Sequence, residues 1–178
     1  MLFDKELVKS RQEAIGLILA GNVFIDSQRI DKPGTKVEIN CNLSLKKKYK
    51  TWVSRGGYKL DQAINEFDID CRDIIAMDIG SSTGGFTDVL IKKGAKKVYS
   101  VDVGYGQLDW NIRNNHRVIV LEKTNAKYLD SKKIIDELDA IVCDVSFISL
   151  KKVIKPNIKF LKTKGWLISL IKPQFEIG

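Results

Sequence analysis

From residue 74 onward one pattern repeats: a short apolar, β-branched run, an amphipathic stretch, then another short run. The runs lie at 74–79, 97–103, 117–121, 139–144 and 166–172, and the helix-like stretches at 85–93, 107–114, 130–137 and 147–162. Runs without polar alternation suit strands covered on both faces, and helical crossovers between them suit parallel neighbours. The pattern predicts an α/β fold: a doubly wound, mostly parallel, Rossmann-like sheet with helices on both sides.

The first third of the chain reads differently. Ser10 and Glu13 have the spacing of a capping box, in which Ser10 accepts from a backbone N–H and Glu13 reaches back. Ala14, Ile15, Ile18 and Leu19 follow at helical spacing, and Gly21 stops the helix. Val23-Phe24-Ile25-Asp26 reads as a strand, Asp31-Lys32-Pro33-Gly34 as a turn and Val37-Glu38-Ile39 as a second strand. This gives a small α+β domain over 1–45, a basic linker over 46–53 and a second domain over 54–178, which opens on a helix marked by Leu60, Ala63, Ile64 and Phe67.

Charge sharpens this division. The chain carries a net +8, and residues 1–60 hold twelve basic side chains against six acidic ones. That asymmetry points to a module that meets a polyanion through phosphate contacts, with a merely lysine-rich, solvated surface as the plain alternative. No apolar stretch reaches the roughly 18–20 residues that cross a bilayer. The acidic opening Met1-Leu2-Phe3-Asp4-Lys5-Glu6 does not resemble a secretory signal, so a cytoplasmic protein is expected. Cys41, Cys71 and Cys143 form no Cys-x-x-Cys pair, and with His116 as the single histidine no metal site is expected. Free, mostly buried thiols and a surface His116 are the expectation. Trp110 and Trp166 read as core or domain-contact aromatics, and Trp52, in the basic linker, as the one candidate for stacking on a base.

In doubly wound sheets, ligands bind beyond the carboxyl ends of the strands. The first run ends in Asp78-Ile79-Gly80-Ser81-Ser82-Thr83-Gly84-Gly85-Phe86. This is neither the Gly-x-Gly-x-x-Gly dinucleotide fingerprint nor a P-loop, because no Gly-Lys-Ser/Thr follows. Asp102, at the end of the second run, can accept both hydroxyls of a ribose. A glycine loop without a phosphate-binding lysine, joined to a ribose-binding acid, suits an adenosine cofactor that lacks a pyrophosphate. S-adenosylmethionine is such a molecule, with Asp78 and the loop at its amino-acid end. A purely structural strand–helix turn and a dinucleotide site are the alternatives.

Five blocks then carry a resemblance: Val53 to Leu60, Asp78 to Thr87, Val101 to Leu108, Asp144 to Leu150 and Ile171 to Glu176. In this order they resemble the TlyA family, known both as hemolysin A and as rRNA 2′-O-methyltransferase. That family joins an N-terminal S4 RNA-binding domain to an FtsJ-like methyltransferase domain, and Lys9 to Asp26 is similar to S4. The resemblance implies S-adenosylmethionine as cofactor, held by Asp78, Gly80, Ser82, Gly84 and Asp102, with Asn125 where the adenine amino group is read. It implies ribosomal RNA, within a ribosomal subunit, as partner, met by Lys9, Arg11, Lys47, Lys48 and Arg55. FtsJ-like enzymes use a Lys-Asp-Lys-Glu set, which maps onto Lys59, Asp144 and Lys172. Two departures stand out: the S4 segment lacks the usual Arg-Leu-Asp opening, and the sequence stops after the fifth run, before the strands that carry the glutamate. Glu176 does not match that glutamate.

Methylation of a ribose 2′-oxygen asks a poor nucleophile to lose its proton as the new bond forms. A neutral lysine can take that proton, and burial or a second cation favours the neutral form. The expected roles are Lys172 as base, Asp144 as its orienter and Lys59 on the substrate ribose or phosphate. Read as residues alone, Lys59 is a solvated or phosphate-contacting lysine, Asp144 a helix N-cap and Lys172-Pro173 an ordinary strand exit. Two other functions compete with an RNA 2′-O-methyltransferase. One is an RNA- or ribosome-binding module without turnover. The other is a cytolysin, raised by the hemolysin name alone, with no amphipathic cationic helix in its favour.

Overall fold

The computed structural model describes residues 1–8, 10–45 and 52–177. The chain divides into two compact units, Met1–Lys50 and Thr51–Gly178.

In the first unit, helix α1 (Arg11–Leu19) is capped by Ser10, whose Oγ accepts the Glu13 N–H at 3.1 Å. It ends in a Schellman motif: Asn22 N–H donates to Leu17 C=O and Gly21 N–H to Ile18 C=O, with Gly21 left-handed at φ +66°. Strands β1 (Val23–Ile25), β2 (Gln28–Ile30) and β3 (Leu43–Leu45) form an antiparallel sheet in the order β2-β1-β3. Val37-Glu38-Ile39 is not a strand. The third strand is Leu43–Leu45, whose two leucines register with Val23 and Ile25 and so share their face, whereas Ile39 is largely exposed. Leu2, Val8 and Val23 form the core, with Ala14, Leu17 and Ile18 of α1 against them. The face of α1 is therefore rotated from the expected one, and Ile15 and Leu19 lie outside the core. Leu2 and Val8 are buried in an opening segment of turns.

The second unit is a five-stranded parallel sheet with a helical cover on each face, which is the doubly wound architecture. Its strands are β4 (Ile75–Ile79), β5 (Lys97–Val101), β6 (Val118–Leu121), β7 (Leu138–Cys143) and β8 (Leu161–Ser169), in the order β6-β5-β4-β7-β8. On one face Ala76, Val98, Ala140 and Val142 pack with α2 (Gly56–Glu66), α3 (Gly85–Lys92) and the short α4 (Trp110–Arg113). On the other, Met77, Ile79, Tyr99, Ile141 and Cys143 pack with α5 (Leu150–Asn157), the 3₁₀ turns 126–128 and 158–160, and Ile134. A strand-order reversal falls between β4 and β7, which puts the switch point at their carboxyl ends.

Several boundaries differ from the sequence expectation. The stretch 130–137 is not helical: the Asp130 side chain accepts the N–H groups of Lys132 and Lys133, a local turn that competes with a helix. The stretch 107–114 keeps one helical turn, and 147–162 holds α5, a 3₁₀ turn and the start of β8. β8 starts and stops earlier than 166–172, so Lys172 lies beyond it, at the N-cap of α6 (Pro173–Glu176). Trp52 is a core residue with Lys92 Nζ 5.2 Å from its ring centroid, not an exposed stacking platform, and Trp110 is 74% exposed. Cys71 and Cys143 are buried, Cys41 is half-buried, and all three are free thiols. His116 is exposed in a turn.

Candidate active site

β4 carries a carboxylate into an otherwise apolar strand. Asp78 points to the α3 face and is 1% exposed. Its Oδ2 accepts from Thr87 N–H at 2.9 Å and Thr87 Oγ1 at 2.7 Å. Thr87 spends its only hydroxyl proton there, so Ser100, 2.5 Å away, must donate to Thr87 Oγ1. Asp78 Oδ1 is buried and has no hydrogen-bond partner among the described residues. Burial pushes the Asp78 pKa up to about 7, against the opposing effect of the Thr87 bonds.

The loop after β4 turns on Gly80, at φ +82°, where an added Cβ would sit 3.0 Å from the Asp144 carbonyl. Close approach of the β4 and β7 ends therefore requires glycine. Asp102, just past β5, braces the loop: Oδ2 accepts Ser82 N–H at 2.8 Å and Oδ1 accepts Gly104 N–H at 2.7 Å. Those bonds leave each oxygen with further acceptor capacity. Gly84 and Gly85 let α3 start against its neighbours, since a Cβ on Gly85 would lie 2.9 Å from Gly57 N and 2.2 Å from Ser54 Oγ. α2 thus crosses α3 at backbone contact. Buried Asp88 accepts Val53 N–H at 2.9 Å and pairs with Lys92 at 2.9 Å, anchoring the approach to α2.

This crossing brings Lys59 of α2 over the strand ends. Lys59 Nζ donates to Asp144 Oδ2 at 3.1 Å, and Lys172 Nζ lies 2.5 Å from Asp144 Oδ1. Lys172 also donates to Ser146 Oγ at 2.8 Å. One carboxylate therefore joins two ammonium groups that lie 113 residues apart in sequence. Lys59, Asp144, Lys172 and Asp78 line one cavity of about 300 Å³ with Ser54, Gly80 and Ser146. A second cavity of about 530 Å³ shares Gly80, Ser82, Asp144 and Ser146 with it and extends past Asp102, Val103, Asn125 and Phe147. Gly84 lines neither cavity. Asn125 sits on the rim of the second, its Oδ1 accepting Lys127 N–H at 3.0 Å.

Asp144 is no helix cap. The N-cap of α5 is Ser149, which makes no capping bond of its own, and Glu176 does that work: Leu150 N–H donates to Glu176 Oε1 and Ser149 Oγ to Oε2, both at 2.8 Å. Sequence reasoning gave no role to Ser146, Thr87 or Glu176, although all three lie inside the five quoted blocks. Arg55 is exposed, just before α2. Arg11 is exposed in the first unit and borders a cavity of about 430 Å³ there with Leu2, Ile18 and Val23. Lys9, Lys47 and Lys48 lie outside the described residues, as does most of the expected linker. Among the described residues no group of three His, Cys, Asp or Glu side chains is placed to hold a metal, and no helix is long and apolar enough to cross a membrane.

The FtsJ-like methyltransferase family matches residues 52–178, and the S4 domain family matches residues 1–40. The chain is 43% identical over 178 residues to the 16S/23S rRNA (cytidine-2′-O)-methyltransferase TlyA of Mycobacterium tuberculosis, covering 99% of this chain and 66% of that protein. It is 44% identical over 169 residues to hemolysin A of Brachyspira hyodysenteriae, covering 94% of this chain and 70% of that one. The chain belongs to the TlyA family of FtsJ-like methyltransferases. A solved structure from Streptococcus thermophilus that carries a hemolysin name aligns with a TM-score of 0.72 at 40% identity, covering 99% of this chain and 66% of that one. The chain thus spans about two thirds of the length of these TlyA-family relatives. Fold and family imply use of S-adenosylmethionine. The residues present fit it: Asp78, whose Oδ1 is buried with no hydrogen-bond partner among the described residues, lines one cavity, the braced carboxylate of Asp102 lines the adjoining one, and Gly80 leaves their junction free of a Cβ.

Proposed function

We propose that the protein is an S-adenosylmethionine-dependent RNA methyltransferase that modifies ribose 2′-hydroxyls of ribosomal RNA in the cytoplasm. The observation that carries this reading is the convergence of Lys59 and Lys172 on the two oxygens of Asp144, at a cavity that Asp78 also lines. Asp78 would accept from the cofactor's ammonium group, Asp102 from its ribose hydroxyls, and the Asn125 rim would face its adenine. When bound, S-adenosylmethionine supplies an electrophilic methyl carbon. Lys172, oriented by Asp144 and Ser146, first releases a proton to solvent and as the neutral amine takes the proton of the attacking hydroxyl, and base catalysis of this kind is worth roughly 10²–10⁴-fold. Lys59 holds the substrate ribose or phosphate, and fixing both reactants contributes at least as much as the proton transfer. Basic residues of the first unit, Arg11 among them, and Arg55 of the second meet RNA phosphates.

The test is a titration of S-adenosylmethionine into the chain, followed by methyl incorporation into ribosomal RNA. Saturable binding with incorporation that disappears in a Lys172→Ala, Asp144→Ala double variant supports the reading. Incorporation unchanged in that variant sinks it. Salt-sensitive RNA binding with no methyl transfer indicates an RNA-binding module instead.

A further inference from the structure

We propose that Glu176 is a positioning residue that sets Lys172 against Asp144 by clasping the loop after β7 to the segment after β8; this rests on the methyltransferase reading above. The starting point is the edge of the sheet. β8 is the outer strand beside β7, and the last ladder-type bond on that side runs from Leu170 N–H to Cys143 C=O at 2.9 Å. Lys172 lies two residues past it, where the sheet no longer fixes the backbone.

Three ties take over, and they run in register along the 144–149 loop. Lys172 reaches Asp144 and Ser146, Phe175 meets Phe147 with ring centroids 5.1 Å apart, and Glu176 reaches Ser149 and Leu150. Lys172 is the N-cap of the short α6 and Glu176 its last residue, and both face the same loop. They do not pair with each other: each spends its charge on that loop instead. Among the three ties, Glu176 has the strongest local reason to hold. Leu150 N–H, at the start of α5, takes its partner from Glu176, the Ser149 side chain does not cap the helix, and a carboxylate there is favoured by the helix dipole. The loop it clasps is under tension, since Phe147 sits at φ +63°, a region a bulky side chain rarely occupies. Releasing Glu176 frees both the strained loop and the backbone that carries Lys172.

Glu176→Ala removes the clasp, and Glu176→Gln keeps it, because the amide oxygen can accept Leu150 N–H while the amide nitrogen donates to Ser149 Oγ. Ser149→Ala removes one leg only and serves if the alanine variant at 176 fails to fold. Labelling of each lysine with an amine-selective reagent, read by mass spectrometry against exposed Lys164 as internal standard, reports the position of Lys172 without requiring turnover. The expected result is Lys172 labelling raised about fivefold in Glu176→Ala, less in Ser149→Ala and unchanged in Glu176→Gln. In methyl transfer, kcat falls about fivefold in Glu176→Ala at a nearly constant KM for S-adenosylmethionine, and Glu176→Gln restores it. Unchanged Lys172 labelling in Glu176→Ala, or raised labelling with wild-type kcat, overturns the proposal. The expected labelling pattern across the variants, with no methyl transfer by the wild-type chain, counts against the methyltransferase reading while supporting the clasp.

Discussion

Thr87 binds Asp78 twice, through its N–H at 2.9 Å and its hydroxyl at 2.7 Å, and both bonds go to the same oxygen. The other oxygen is buried with no hydrogen-bond partner among the described residues, and the carboxyl pKa rises from 3.8 to about 7 because burial disfavours the charge. Between about pH 4 and pH 7 the folded, cofactor-free protein therefore keeps a proton that the unfolded chain has released. The stability this group contributes is fully present below pH 4, declines as pH rises to about 7 and is level above it. The shift corresponds to about 4 kcal/mol. Asp78→Asn, which cannot ionise, should gain stability relative to the parent chain as pH rises from 4 to 7. Urea unfolding of both proteins at several pH values checks this, and parallel stability curves would contradict it.

The role proposed for Asp78 would also couple cofactor affinity to pH. In that proposed role Asp78 would bind an ammonium group as the ionised carboxylate, so below about pH 7 association would first have to displace the Asp78 proton. The Kd for S-adenosylmethionine should fall about tenfold per unit from pH 5 toward 7 and then level, with proton release detectable by calorimetry in buffers of different ionisation enthalpy. In Asp78→Asn the affinity should be weak and flat over the same range.

Much of this arrangement was legible in the sequence because it depends on local order. The alternation of runs and stretches gave the sheet, and the strand ends gave Asp78, Asp102 and Asp144. Failures occurred where tertiary packing chose between equal local options. Val37-Glu38-Ile39 and Leu43-Ser44-Leu45 both alternate, and only the second places its apolar residues opposite Val23 and Ile25. The stretch 130–137 has apolar residues near helical spacing, yet the Asp130 turn prevails. Glu176 does not match the expected glutamate, and its partners, Ser149 and Leu150, lie 27 and 26 residues away. Nothing in a linear pattern marks a cap supplied from another element.

Lys172→Met keeps most of the side-chain stem and removes the charged head, isolating the chemistry from packing. Methyl transfer should fall by roughly 10²–10⁴-fold. Affinity for S-adenosylmethionine should change by no more than a few-fold, since Asp78 and Asp102 remain. Lys59→Met should instead act mainly through the RNA substrate, raising its KM. Steady-state kinetics with each substrate varied in turn separates the two, and equal effects of both variants on kcat alone would contradict the division of roles.

The crossing of α2 over α3 makes the clearest packing prediction. A Cβ on Gly85 would lie 2.2 Å from Ser54 Oγ and 2.9 Å from the Gly57 nitrogen, so Gly85→Ala must push α2 away from α3. The second of those contacts is backbone and cannot rotate aside. Such overpacking costs about 1–3 kcal/mol, and because Lys59 rides on α2, the Lys59–Asp144 contact should lengthen with it. Gly16→Ala is the internal control: it lies within α1, nothing comes within 4 Å of its added Cβ, and the change should be neutral or stabilising by up to about 1 kcal/mol. Thermal unfolding of the two variants decides the matter. A Gly85→Ala protein as stable and as active as the parent would mean that α2 does not depend on backbone contact with α3 to carry Lys59 to the strand ends.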